Sequence, residues 1–279
     1  MSKIIFIGEI GINHGGSLDE ALQLIDVAKN AGASLVKFQK RNPTKCVPEQ
    51  QKNIMKETPW GLMTYYEYKQ RIEFGQEEYN AIDKKCKDVG IDWFASAWDL
   101  DSVLFLRQFS LKYNKIASAL LTDNELLNEV ASEKKHTFIS TGMSDYDQIN
   151  SAVKIFRKHK CPFTIFQCTS TYPSAMDEQN INVIKTFKTI YPDSRGVGFS
   201  NHGPGPLPCV LAVAAGANYI EAHITLRRNS WITDSSNSLE ASGLQKMIRD
   251  CNNVEKMLGN GIKKVYDSEK PVRDKLRKI

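Results

Sequence analysis

The sequence predicts a single-domain α/β protein of the (β/α)8, or TIM-barrel, class. Short β-branched runs alternate with longer stretches of helical period from one end to the other. The alternation completes eight cycles, and 279 residues leave little over beyond the roughly 250 that such a barrel needs. A doubly wound open sheet more often has fewer strands and a Gly-rich first turn.

The expected strands are Ile4–Ile10, Ser34–Gln39, Asp92–Ser96, Tyr113–Ala117, Thr137–Ser140, Phe163–Cys168, Gly196–Ser200 and Tyr219–His223. The amphipathic stretches after them are Leu18–Ala31, Gln76–Val89, Asp101–Arg107, Asn124–Ser132, Tyr146–Lys158, Gln179–Thr189, Leu207–Ala215 and Ser242–Leu258. In the first of these, Ala21, Leu24, Ile25 and Ala28 recur every three or four residues and mark a face that packs on a sheet. Ser17 stands at capping-box spacing from Glu20, while Gly32 and Gly90 read as helix stops. Residues 41–75, rich in Pro, Thr, Tyr, Met and Trp, interrupt the rhythm between the second strand and second helix. Connections that long are usually functional; the plainer alternative is a surface excursion packed by Trp60, Met63, Tyr65 and Tyr66.

Composition narrows the function. The chain has 37 basic and 32 acidic residues, a net charge of +5. The excess is concentrated only at Lys270, Arg273, Lys275, Arg277 and Lys278, too little to argue for nucleic acid but suited to anionic substrates. No apolar run reaches the roughly 18–20 residues of a membrane span, and Met1-Ser2-Lys3-Ile4 shows no signal pattern, so a cytoplasmic location is expected. The six cysteines lie far apart without a C-x-x-C and are expected to stay reduced.

In a barrel the active site lies at the carboxyl ends of the strands. Those ends are unusually polar here. They carry Glu9, Lys37, Gln39, Ser96, Lys115, Ser118, Ser140, Thr141, Thr169, Ser170, Tyr172, Ser200, Asn201, His202, Glu221 and His223. Two lysines with several hydroxyls suit a phosphate and carboxylate site, because ammonium groups neutralise the anion and hydroxyls supply oriented donors. A lysine inside the apolar run Leu35-Val36-Lys37-Phe38 needs an anion beside it, since burying the charge alone costs several kcal/mol. His202 and His223 end adjacent strands, with Glu221 and Asp234 near in sequence, and could meet at a divalent metal. His14 could be structural or functional, and His136 and His159 are expected to be solvated.

Seven segments, taken in order, resemble the N-acetylneuraminate synthase family: IGEIGINHGGSLDEALQLIDVAKNAGASLVKFQ (7–39), FASAWDLDSVLFL (94–106), KIASALLTDNELL (115–127), FISTGMS (138–144), FQCTSTYPS (166–174), VGFSNHGPG (197–205) and GANYIEAHITL (216–226). The resemblance implies a barrel that condenses phosphoenolpyruvate with an aldose, N-acetylmannosamine or a related sugar, to a 3-deoxy-2-ulosonic acid and phosphate. It also implies a divalent metal, commonly manganese with magnesium or cobalt as alternatives, held by residues matching His202 and His223. Phosphoenolpyruvate would be held by Lys37, Lys115, Ser96, Ser118, Ser140, Ser170 and Ser200, with Glu9, Glu221 and Asp234 as acid or base candidates and Gln39 and Tyr172 toward the sugar.

The departures fall on the sugar side. Family members typically continue into a C-terminal antifreeze-like domain, for which no sequence is seen before Ile279; Ala119-Leu120 replace a Gly-acidic pair, Asn201 a frequent Asp, and Gln167 a frequent His. A homo-oligomer is expected. One alternative is a synthase for a phosphorylated aldose, its second phosphate held by Arg71, Arg227 and Arg228. A barrel that binds sugar acids or a partner without catalysis is the alternative of a different class.

Overall fold

A computed structural model describes residues 4–278; Met1, Ser2 and Lys3, read above for a signal pattern, and Ile279 lie outside the described residues. Eight parallel strands close into a barrel: β1 (Ile5–Gly11), β2 (Leu35–Lys40), β3 (Asp92–Ala97), β4 (Tyr113–Ile116), β5 (His136–Ser140), β6 (Phe163–Gln167), β7 (Val197–Asn201) and β8 (Tyr219–His223). Each follows its neighbour around the ring, and β1 pairs with β8 to complete it. The outer helices are α1 (Leu18–Ala31), α2 (Gln76–Val89), α3 (Leu100–Leu106), α4 (Asn124–Ser132), α5 (Tyr146–Lys158), α6 (Val183–Ile190), α7 (Leu207–Ala214) and α8 (Ala241–Leu258). Sequence and structure agree on every strand to within a residue or two. The sixth helix starts later than periodicity suggests, because Asp177–Gln179 form a separate 3-10 turn.

Local chemistry sets the helix ends. Ser17 Oγ accepts from Glu20 N at the start of α1, and Gly32 (φ 91°) and Gly90 (φ 68°) take the left-handed conformation that ends α1 and α2. Ala21, Leu24, Ile25 and Ala28 are all buried against the outer barrel wall, as their spacing requires.

Inside the barrel, strand alternation stacks the side chains in layers. Ile7, Leu35, Phe94, Phe138 and Phe166 fill an apolar layer, with Tyr113 and Tyr219 beneath. Two residues further along four of these strands, on the same inner face, come Glu9, Lys37, Ser96 and Ser140, and after Phe166 comes Cys168. The apolar layer is thus the floor of a polar cavity.

His136 belongs to that floor, which corrects the expectation of a solvated side chain. It opens β5, packs on Tyr113, Phe138 and Tyr219, and bonds Thr164 Oγ1 through Nε2 at 2.8 Å. Burial pushes its pKa down to about 4. His159 is half-buried at the end of α5 and bonds Asn128 Oδ1 at 3.0 Å. Because the His136 pKa is depressed from about 6.5, the unfolded chain binds a proton that the folded chain does not, and stability is lost as pH falls from about 6.5 toward 4. His136→Gln is expected to flatten this part of the profile, measured as the difference between urea midpoints at pH 7 and pH 5.

Residues 41–75 are ordered rather than a plain loop. They form two short helices (Pro43–Cys46 and Glu49–Lys52), a hairpin (Met55–Thr58 with Gly61–Thr64) and a helix over Tyr65–Ile72. Tyr68, Ile72, Ile12 and Ile232 form a small core that joins this segment to the loop after β8. Lys40 Nζ pins its far end through Glu73 (2.7 Å) and the Phe74 carbonyl (2.9 Å).

Candidate active site

Strand register sets the site residues side by side. His223, Glu9 and Lys37 are neighbours across β8, β1 and β2; Gln39, Ser96 and Lys115 across β2, β3 and β4; and Ser200 lies beside Glu221. They line one cavity of about 180 Å³ at the carboxyl end of the barrel, together with Ser118, Ser140, Ser170, Tyr172 and His202. Of the polar strand-end residues, Thr141, Thr169 and Asn201 do not line it, and neither does Asp234. That carboxylate stands behind the wall, its Oδ2 3.9 Å from His223 Nδ1. Ala119, one of the departures on the sugar side, lines the cavity too, as do Trp98, Ala117 and Met143, which carry no polar strand-end signal.

The anion that Lys37 requires is internal. Lys37 Nζ lies 3.2 Å from Glu9 Oε2 and 3.4 Å from Glu221 Oε1, and Lys115 Nζ lies 3.0 Å from Glu221 Oε2. Ser200 Oγ donates to Glu221 at 2.9 Å, and Gln39 Nε2 to Glu9 at 2.8 Å. The two carboxyls are held differently. Burial works against the charge on Glu221, but Lys115 and Lys37 outweigh it and hold its pKa well below the usual carboxylate range. For Glu9 burial wins over Lys37, and its pKa is raised. Burial likewise lowers the pKa of Lys115, whereas for Lys37 the effect of burial is outweighed by Glu221 and Glu9.

Unmet hydrogen-bonding capacity points into the cavity. Ser96 Oγ and Ser170 Oγ are buried in the cavity wall without a hydrogen-bond partner. Buried polar atoms are nearly always satisfied, so these two orphans mark where a polar ligand binds. His223 Nδ1, also without a hydrogen bond, faces Asp234 instead. The Ser118 hydroxyl meets Cys168 Sγ at 3.2 Å and accepts from Gly142 N at 3.1 Å. Gly142 is required by close approach, since a Cβ there would lie 2.0 Å from Ser170 Oγ and 2.9 Å from Ser118 Oγ. Gly142→Ala is therefore expected to turn both hydroxyls away and raise the KM for an anionic substrate about tenfold, the loss of one or two hydrogen bonds to charge. Initial rates against substrate concentration check this.

The two histidines have the donor set for a divalent cation. Their ring centres are 5.5 Å apart. His202 Nδ1 lies 2.8 Å from the Thr169 carbonyl, which can only accept, so Nδ1 carries the proton and Nε2 presents its lone pair, met by the Tyr172 hydroxyl at 3.1 Å. Burial and His223 hold the His202 pKa down at about 3, so the ring is neutral. A carbonyl-anchored neutral imidazole is the usual state of a metal ligand. Among the described residues no three His, Cys, Asp or Glu side chains close on one point. A cation here would take its remaining ligands from water or substrate. His14 has no such part: it is buried, stacked on Phe74 with ring centres 3.9 Å apart, and accepts from Gly16 N.

The arginines suggested for a second phosphate are otherwise engaged. Arg227 pairs with Glu20, Arg228 donates to the Ser236 carbonyl, and Arg71 lies on the Trp60 ring.

Comparison with known proteins identifies the family. Residues 24–263 match the model of the NeuB family. The chain belongs to that family. It is 33% identical over 274 residues to human N-acetylneuraminate-9-phosphate synthase, covering 98% of this chain and 76% of that protein. It is 31% identical to N,N'-diacetyllegionaminic acid synthase of Campylobacter jejuni, covering 96% and 81%. The structure of N-acetylneuraminic acid synthetase from Leptospira borgpetersenii, solved with citrate, superposes with a TM-score of 0.84 at 30% identity, covering 100% of this chain and 94% of that one. As a NeuB protein the chain is a transferase of the nonulosonic-acid synthase type, condensing phosphoenolpyruvate with a sugar. The sugars in the relatives' names differ, so the acceptor must be argued from the site.

Proposed function

We propose that the cavity binds phosphoenolpyruvate through Lys37, Lys115 and the hydroxyls of Ser96, Ser118, Ser140, Ser170 and Ser200, beside the open-chain aldehyde of N-acetylmannosamine or a related aldose. The observation that carries this reading is the pair of buried lysines facing orphaned Ser96 and Ser170 hydroxyls. At about 180 Å³ the cavity is smaller than the roughly 300–1,000 Å³ of ordinary small-molecule pockets, which suits one small anion with the aldose at the mouth.

In the reaction, C3 of phosphoenolpyruvate bonds to the aldehyde carbon, water adds at C2, and the C2–O bond breaks to release phosphate. Lys37 and Lys115 offset the charge of the phosphate and carboxylate throughout, and the serines orient them. Gln39 and Tyr172, on the mouth side, position the aldose. Water attack at C2 needs a proton acceptor and the new alkoxide a donor. Glu221, clamped by both lysines and Ser200, is a poor proton carrier. Glu9, with its raised pKa and one oxygen met only by Lys37, is the better one. Asp234 acts through His223, 3.9 Å away.

His202 and His223 would hold a divalent cation, manganese with magnesium or cobalt as alternatives, and that cation would supply Lewis acidity to the aldehyde oxygen. No helix among the described residues is long and apolar enough to cross a membrane. Six unpaired cysteines support a reducing, cytoplasmic setting. The test is phosphate release from phosphoenolpyruvate with a panel of aldoses and Mn, Mg or Co. Release should require an aldose and yield a 3-deoxy-2-ulosonic acid; release without aldose, or none with any, contradicts the reading.

A further inference from the structure

The serines that line the cavity are held differently. Ser96 Oγ and Ser170 Oγ have no hydrogen-bond partner, and Ser200 Oγ gives its proton to Glu221 at 2.9 Å. Ser118 Oγ is held from two sides: it accepts from Gly142 N at 3.1 Å and lies 3.2 Å from Cys168 Sγ, where either atom can be the donor. Cys168 is 5% exposed and does not itself line the cavity; it stands behind Ser118. It follows directly on β6, two residues after Phe166, in the inward place that Lys37, Ser96 and Ser140 hold on their own strands. A polar layer that is otherwise built of groups facing a ligand thus contains one thiol facing a serine.

Counting protons decides which of the two atoms donates when an anion is bound. A serine oxygen has one proton and two lone pairs. The Gly142 N–H takes one lone pair. If Ser118 donates to sulfur, it turns a lone pair toward the cavity and repels an anion there. If the thiol donates, both lone pairs are spent inside the wall and the hydroxyl proton is left for the cavity. An anion beside Lys37 and Lys115 selects the second arrangement, because a hydrogen bond to charge outweighs one to a neutral sulfur. The neighbouring hydroxyls cannot take the thiol's place as donor: Thr141 Oγ1 and Thr169 Oγ1 give their protons to the carbonyls of Phe166 at 2.8 Å and Glu178 at 2.7 Å. The thiol has no competing acceptor either, since Ser118 is the only hydrogen-bond partner of its sulfur among the described residues.

We propose that Cys168 is a positioning residue for phosphoenolpyruvate: its S–H donates to Ser118 Oγ and so directs the Ser118 proton onto a substrate oxygen. The thiol touches no substrate atom in this role and acts only through the serine. Ser96 Oγ, unpartnered in the same cavity on a residue 1% exposed, marks independently that a polar ligand binds within reach of these strand ends. An alanine or valine at 168 would keep the wall apolar but offer no proton. The inference rests on the phosphoenolpyruvate reading of the cavity and adds a residue that does not line it.

A double-mutant cycle over Cys168→Ala and Ser118→Ala tests this, with the Kd for phosphoenolpyruvate read by calorimetry and folding checked by a thermal melt. Ser118→Ala should raise the Kd about tenfold and Cys168→Ala about fivefold, the loss of all or part of one hydrogen bond to charge. The double variant should bind within about twofold of Ser118→Ala, because the thiol has nothing to direct once the hydroxyl is gone. Cys168→Ser, which keeps a donor, should bind more tightly than Cys168→Ala, a rescue that a purely structural cysteine would not give. Should Cys168→Ala fail to fold, Cys168→Val completes the same cycle. Multiplying effects, about fiftyfold in the double variant, would show that the two residues act independently and would overturn the positioning role. A Kd for Cys168→Ala equal to that of the parent, or no gain from Cys168→Ser, overturns it as well. A parent protein that does not bind phosphoenolpyruvate overturns the role together with the reading it rests on.

Discussion

Lys115→Met is expected to lower kcat/KM for phosphoenolpyruvate by roughly a hundred- to several-thousand-fold while leaving the barrel folded. The ammonium of Lys115 is buried at the cavity wall, 3.0 Å from Glu221 and 4.3 Å from the Phe166 ring centre. Removing one partner from a buried charged cluster costs about 3–5 kcal/mol, and about 1.4 kcal/mol corresponds to a factor of ten. Most of that loss should appear in the bound state. In the free protein Glu221 still has Lys37 at 3.4 Å and the Ser200 hydroxyl at 2.9 Å, whereas the substrate loses one of the two cations that neutralise it. Methionine fills nearly the same volume, which limits the cavity left behind. Phosphate-release kinetics beside a thermal melt separate the two effects. A rate within tenfold of the parent would show that Lys115 does not hold the substrate.

His202→Ala should abolish retention of Mn2+ and lower turnover at least a hundredfold, since loss of a supporting partner alone costs 10–100-fold at metal sites. The imidazole is neutral, fixed in one tautomer by the Thr169 carbonyl, and presents its lone pair to the cavity. Among the described residues no third ligand closes on the same point, so a cation held by His202 and His223 would not survive the loss of either. Metal content after dialysis, read by atomic absorption, reports the loss independently of activity. Full turnover of the variant under rigorously metal-free conditions would remove the metal from the account.

Much of this was legible in the sequence because a parallel barrel has a simple grammar. Each strand is short, buried on both faces and followed by a helix, so polar residues at strand ends can converge only on the cavity. Lys37 two residues after Leu35, Lys115 two after Tyr113, and His223 two after Glu221 are readable as inward-facing on period alone. What period could not give was closure across distant segments. Asp234 lies in a loop after β8, and its distance from His223 depends on how the segment 41–75 packs Tyr68 and Ile72 against Ile232. His136 departs from its sequence pattern for the opposite reason. Its neighbours Lys134 and Lys135 suggest a solvated turn, whereas the first residue of β5 already points into the barrel.

The fate of one oxygen tests the central claim most directly. Phosphoenolpyruvate labelled with 18O in the C2–O–P bridge is incubated with the protein, an aldose and Mn2+, and the released phosphate is analysed by mass spectrometry. Condensation followed by breakage of the C2–O bond predicts that the label leaves in the phosphate. Unlabelled phosphate, with the label retained in the ulosonic acid, would mean that the P–O bond breaks instead and would contradict the account.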